Sequence, residues 1–257
     1  MKVSNGGRPL PKIIVGHHEP IFDRLPANVS DNFRRPGSEN ALVWNLVYPF
    51  ARPTISLRAL LAVPPLWGSP GLRPADDPLT PYFWGYGVDG RPLAPLADAL
   101  VAIDGKGPAT EIDLILLGRE NLVVVEAKHR SPLGRCSRYQ HGACPQVHET
   151  DGEPCRYWAH GNARFEDALD FRQPEPDNRP DCHRHYQLAR TLLVGSRLAD
   201  QLGLRLHMWL ICPRRHWRSL ERDWVDFAGR VCDSEQWRRM RALAWEDLRS
   251  LSAGRRG

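Results

Sequence analysis

Three residues between Thr110 and Lys128, in the stretch TEIDLILLGRENLVVVEAK, have the types and spacing to do chemistry: Asp113, Glu126 and Lys128. Two apolar runs flank the polar turn Gly118-Arg119-Glu120-Asn121, which predicts a tight β-hairpin. If the turn is even and symmetric, Leu117 pairs with Leu122, Ile115 with Val124, and Asp113 falls opposite Glu126. Strand alternation adds Lys128 to that face and turns Ala127 to the other. Facing carboxylates repel, so the pair needs a countercharge, and a divalent cation supplies it. Mg²⁺ takes one or two carboxylates and completes its shell with water and phosphate oxygens. Lys128 would then orient or deprotonate a metal-bound water, or neutralise charge developing on a phosphate. The competing reading is a surface ion pair between Lys128 and Glu111.

The elements that must position these residues are legible on either side. Residues 1–37 are polar, without sustained period, and read as an irregular arm; the His17-His18 pair in it reads as surface. Ser38 caps a short helix with a stripe of Ala41, Leu42, Leu46 and Val47 that Pro49 stops. Asn45 is polar filler on its far side, and a further helical turn is expected across Arg52 to Leu61. Pro64 to Tyr82 is dense in Pro and Gly and reads as loop. Trp67, Tyr82, Phe83, Trp84 and Tyr86 either pack that loop down or offer stacking faces to bases. Leu96 to Ile103 is a short helix or strand. His183 to Leu202 is an amphipathic helix ended by Gly203, and Leu204 to Cys212 is an apolar strand, together a crossover beside the hairpin. Two amphipathic helices are expected after Trp217, the second being SEQWRRMRALAWEDLRSL with Ser234 as cap.

Between Lys128 and the long helix lies a polar excursion, residues 129–181. In it or just beyond it fall Cys136, Cys144, Cys155 and Cys182, with His129, His141, His148, His160, His183 and His185. Clustered Cys and His in a reducing compartment point either to a structural metal, Zn²⁺ or an iron–sulfur cluster on the four thiolates, or to unligated thiols in an insertion. Cys212 and Cys232 read as core packing.

The D-x12-E-A-K spacing on a hairpin resembles the PD-(D/E)XK nuclease superfamily. The early S-E-N helix ending in N-L-V-Y-P-F, the Cys-containing insert and the Y-Q-L-x-R-T helix bring it nearest to a bacterial family of restriction-endonuclease candidates within it. The resemblance implies an α/β fold with a restriction-endonuclease-like αβββαβ core and mixed sheet, spanning 38–213, with 129–181 as an insertion and 214–257 as a C-terminal helical extension. It implies metal binding by Asp113, Glu126 and the Ala127 carbonyl, with Lys128 catalytic. Gln187, at the head of the helix after the E-x-K strand, corresponds to a residue that faces the metal site or is solvent-exposed. Glu39 is either an additional metal acid or a plain first-turn acid at a helix N-terminus. Ile112 stands where the family commonly has Pro.

With 257 residues, 42% of them hydrophobic, the chain buries a full core, and a formal charge of +5 suits a polyanionic partner. Arg214 and Arg215 are candidate phosphate contacts. No run is long enough to span a membrane, so a cytoplasmic location is expected. The expected activity is Mg²⁺- or Mn²⁺-dependent hydrolysis of DNA, with a homodimer favoured for double-strand cutting. The alternatives are a non-catalytic nucleic-acid-binding module or a zinc-stabilised scaffold.

Overall fold

The computed structural model describes residues 14–68, 75–105, 109–148, 154–158, 164–175 and 178–253. It is a mixed α/β structure. In chain order the elements are α1 (Ala27–Phe33), α2 (Glu39–Ala51), β1 (Ile55–Ser56), α3 (Leu57–Leu61), β2 (Pro65–Gly68), β3 (Pro78–Phe83), β4 (Tyr86–Gly87), α4 (Ala94–Asp104), β5 (Leu114–Leu117) and β6 (Asn121–Ala127). There follow α5 (Ser137–Gln140), α6 (Phe165–Ala168), α7 (Asp181–Arg184), α8 (Tyr186–Leu202), β7 (Arg205–Cys212), α9 (Arg214–Ala228), α10 (Ser234–Arg238), β8 (Met240–Ala244) and α11 (Trp245–Ala253). One sheet runs β1-β3-β5-β6-β7-β8-β2, with β4 beside β3. β5 runs antiparallel to both β3 and β6, and β6, β7 and β8 are parallel.

Helices cover both faces of this sheet, and strand alternation divides its side chains between two cores. Ile115, Leu122 and Val124 join α4, α8 and α9 on one face. Leu114, Leu116, Val123, Val125 and Ala127 join α1, α2 and α11 on the other. Buried on both sides, β6 therefore reads as a nearly unbroken apolar run. α8 lies close on the sheet because Gly195 leaves room there: a Cβ would stand 3.1 Å from Leu206 and 3.2 Å from Val124.

Several elements differ from the sequence reading. From Ile14 onward the expected arm belongs to the core, with Ile14, Ile21, Leu25, Val29 and Phe33 buried; residues 1–13 lie outside the described residues. α2 runs through Pro49 to Ala51 and buries Val43, Trp44, Val47 and Tyr48, while Ala41 and Leu42 are only partly covered. Asn45 is an anchor, its Oδ1 accepting from Val15 N at 2.8 Å.

The expected loop before Tyr82 contains β2 and most of β3. Trp84 N donates to Asp113 O at 3.2 Å, which fixes the phase of the β3–β5 ladder and points the nitrogen of Pro81 away from β5. On that side β3 has partners only at residues 78, 79, 82 and 83, so the missing N–H leaves no gap. The second C-terminal helix is broken by β8, whose five residues are all buried and pair with β7 and β2. The C-terminal segment is thus part of the sheet, not an appendage. Asp233, not Ser234, caps α10, accepting from Glu235 N at 2.8 Å.

The excursion is no polar loop either, since Leu133, Tyr157, Trp158, Phe165, Leu169 and Phe171 are buried in the α8 core. The aromatics near β3 pack inward: Phe83 and Trp84 are buried, and Trp67 makes edge contacts with Trp224 and Trp237. Cys212 is buried, but Cys232 is exposed.

Candidate active site

The β5–β6 register is Leu117 with Leu122, Ile115 with Val124 and Leu114 with Val125. Its turn is closed by Gly118 N donating to Asn121 O at 2.9 Å. The register holds because Asp77 sits under the turn and accepts from Arg119 N, Glu120 N, Asn121 N and Asn121 Nδ2 at 2.9 to 3.0 Å. Asp77 falls within the stretch Pro64 to Tyr82 that the sequence predicts as loop, just before β3.

One residue before β5 begins, Asp113 reaches across to β6, where its Oδ2 accepts from Ala127 N at 2.8 Å. Glu126, only 1% exposed, turns to the same face. Its Oε1 accepts from Lys128 Nζ at 2.8 Å and from Gln187 Nε2. Its Oε2 is buried with no hydrogen-bond partner among the described residues. Lys128 continues the parallel pairing through its backbone N, which donates to Ile211 O at 2.8 Å. The Lys128–Glu111 pair does not form; Glu111 Oε2 accepts instead from Asn28 Nδ2 at 2.9 Å. Asp113, Glu126, Lys128 and Gln187 therefore meet at the carboxyl end of β6.

Gln187 sits at the start of α8, clamped by Gly134: Gly134 N donates to its Oε1 at 2.7 Å, and its own N donates to Gly134 O at 3.2 Å. Glu39, on the first turn of α2, is drawn to the neighbouring loop. Its Oε1 accepts from His129 N at 2.6 Å and Ser131 Oγ at 2.8 Å, holding the chain just beyond Lys128. Ser38 fixes that helix start by accepting from Ala41 N at 3.1 Å.

Burial and the Glu126 charge hold the Asp113 carboxyl well above the usual aspartate range. Burial likewise raises Glu126, against the pull of Lys128. Burial disfavours the Lys128 ammonium, but Glu126 and Asp113 outweigh it and the pKa rises, so the group is a firmly held cation. Glu39 goes the other way: burial opposes ionisation, yet the His129 amide, the Ser131 hydroxyl and Lys128 lower its pKa.

Among the described residues no three His, Cys, Asp or Glu side chains are grouped to hold a metal ion. The donor types at the strand end do fit a hard divalent cation: two carboxylates, the Ala127 carbonyl, and a buried Glu126 oxygen with nothing bound to it. Cys136 and Cys155 are half-buried, Cys144 and Cys182 are buried, and all four are free thiols. Arg214 is tied to Asp247, while Arg215 is exposed. His17 and His18 are exposed. A cleft of about 740 Å³ lies at the opposite end of β7 beside Arg197, Arg205 and Arg239, away from Asp113 and Glu126.

No family model matches this chain, and no curated protein or solved structure is significantly similar to it. No helix of the described residues is long and apolar enough to cross a membrane.

Proposed function

We propose that the chain is a metal-dependent nuclease that hydrolyses phosphodiester bonds of DNA on a PD-(D/E)XK-type core. The observation that carries this reading is the convergence of Asp113, Glu126 and Lys128 at the end of β6, with one Glu126 oxygen buried and unpartnered. The order of elements supports it: helix α2, antiparallel β3, β5 and β6, then α8 crossing to a parallel β7.

Mg²⁺ or Mn²⁺, held by Asp113, Glu126 and the Ala127 carbonyl, would supply a polarised phosphoryl oxygen and an acidified water. The protein's own groups divide the remaining work. Lys128, whose Nζ lies 2.8 Å from Glu126 Oε1, stands where it would stabilise negative charge growing on the phosphate. Gln187 fixes the rotamer of Glu126, and Glu39 fixes the loop beyond Lys128.

The direct test is cleavage of duplex DNA with Mg²⁺ or with EDTA, using the wild type, Asp113→Asn and Lys128→Ala. The expected outcome is cutting only with the metal, and a loss of roughly 10²-fold or more in either variant. A second reading has its own support, because Lys128 and Gln187 already occupy Glu126 Oε1. Tight DNA binding without cutting under any divalent ion would favour that alternative, a binding module that keeps the fold without turnover.

A further inference from the structure

We infer that Cys136, Cys144, Cys155 and Cys182 form a structural zinc site that fastens the segment after β6 to the head of α8. The four residues come from separate stretches that the fold draws together. Cys136 N donates to His183 O at 3.1 Å, and His183 Nδ1 meets Cys136 O at 3.2 Å, so Cys136 lies against the turn that carries Cys182. Trp158 closes a turn onto Cys155, its N donating to Cys155 O at 2.9 Å, and aims its indole N–H at Cys182 Sγ, 3.3 Å away. Cys144 opens a turn in which Val147 N and His148 N both donate to its carbonyl. The His148 ring stacks on Tyr139, whose ring rests 4.4 Å from that of His183.

The Cys182 thiol lies within electrostatic reach of Cys155, Cys136 and Cys144, and that of Cys155 within reach of Cys144 and Cys136. Soft sulfur donors on the short helix α7 and on neighbouring turns suit tetrahedral zinc. As the side chains stand, the sulfurs do not form a ligand set. Binding requires them to turn inward to the ~2.3 Å of a zinc–thiolate bond, with release of the thiol protons.

The site has a consequence at the carboxylates. Cys136 follows Gly134 closely and Cys182 shortly precedes Gln187, and Gly134 with Gln187 forms the clamp that holds Glu126. Zinc would thus pin both arms of that clamp. The inference does not rest on the nuclease reading.

The test is elemental analysis of the full chain purified without chelator. About one zinc per chain is expected. Cys155→Ser with Cys182→Ser should retain less than about a tenth of it, while Asp113→Asn should keep it all. If the double variant does not fold, the wild type itself decides: mercurial titration of thiols in the presence of a zinc-sensing dye should release zinc in step with about four sulfurs. Three results would overturn the assignment: no zinc either as purified or after reduction and incubation with ZnCl₂; iron with visible absorbance; or zinc release unrelated to thiol titration.

Discussion

Lys128 is the residue on which the charge balance of the strand end turns. It is 6% exposed and faces two carboxylates whose burial favours their neutral forms. Lys128→Ala leaves Asp113 and Glu126 without a cation and should lower metal-free stability by about 3 kcal/mol, measured by urea denaturation. Asp113→Asn should act oppositely. A carboxyl that holds its proton more tightly folded than unfolded stabilises the fold at acid pH. That contribution is lost as pH rises from about 3.9 through the raised folded value. Metal-free wild type should therefore lose stability across that range, and Asp113→Asn should lose less, by on the order of 1 kcal/mol, since Asp113 keeps some solvent. Equal slopes would mean the carboxyl is not perturbed. Gly134 makes the third case: a Cβ there would stand 2.9 Å from Gln187 Oε1. Gly134→Ala should displace Gln187 and reduce cleavage as far as Gln187→Ala does, with little change in melting temperature. At this scale the pairing of Asp113 with Glu126 was legible, because a two-residue period and a symmetric turn leave few registers. The clamp on Gln187 and the use of Glu39 to hold the 129–131 loop were not, since they depend on which loop amides the tertiary fold brings near.

Among the elements, the β5–β6 hairpin takes its register from Asp77 as much as from its own sequence. The turn Gly118-Arg119-Glu120-Asn121 gathers three backbone N–H groups that the sheet leaves unused, and one buried carboxylate takes them all with the Asn121 side chain. Burial resists ionisation of Asp77, but these donors lower its pKa. Its contribution is present above the unfolded aspartate value and lost as pH falls through the depressed folded one. Asp77→Ala should cost about 3 kcal/mol at neutral pH, read by thermal or urea unfolding, and should leave cleavage intact at temperatures where the variant stays folded. The elements legible in the sequence were those whose periodicity is local: the hairpin, α8 with Gly203 in the left-handed conformation at its end, and β7. β3 was hidden by Pro78 and Pro81, which a strand tolerates only where its flank lacks a partner. β8 was hidden by MRALA, a run with helix-forming residues that becomes a strand because β7 and β2 bury it from both sides.

Across the whole molecule, a formal charge of +5 says little until it is known which cations are free to meet a polyanion. Arg184, Arg190, Arg214 and Arg230 are spent on Asp residues of the same chain. Arg130 and Arg215 are exposed, have no ion pair among the described residues, and both act on the His129 ring beside Lys128. They therefore stand at the rim of the candidate site, where a phosphate backbone passing over Lys128 would meet them. Each phosphate contact contributes about one unit to the slope of log affinity against log salt. In an Asp113→Asn background, which keeps the DNA uncut, Arg130→Ala with Arg215→Ala should weaken binding at low salt equally for unrelated sequences and reduce that slope by about 2. Replacing Arg197 and Arg205, which line the cleft at the far end of β7, should leave the slope unchanged. The reverse result would move the nucleic acid to that cleft and separate it from the carboxylates, and cleavage chemistry at Glu126 would then have no substrate to act on.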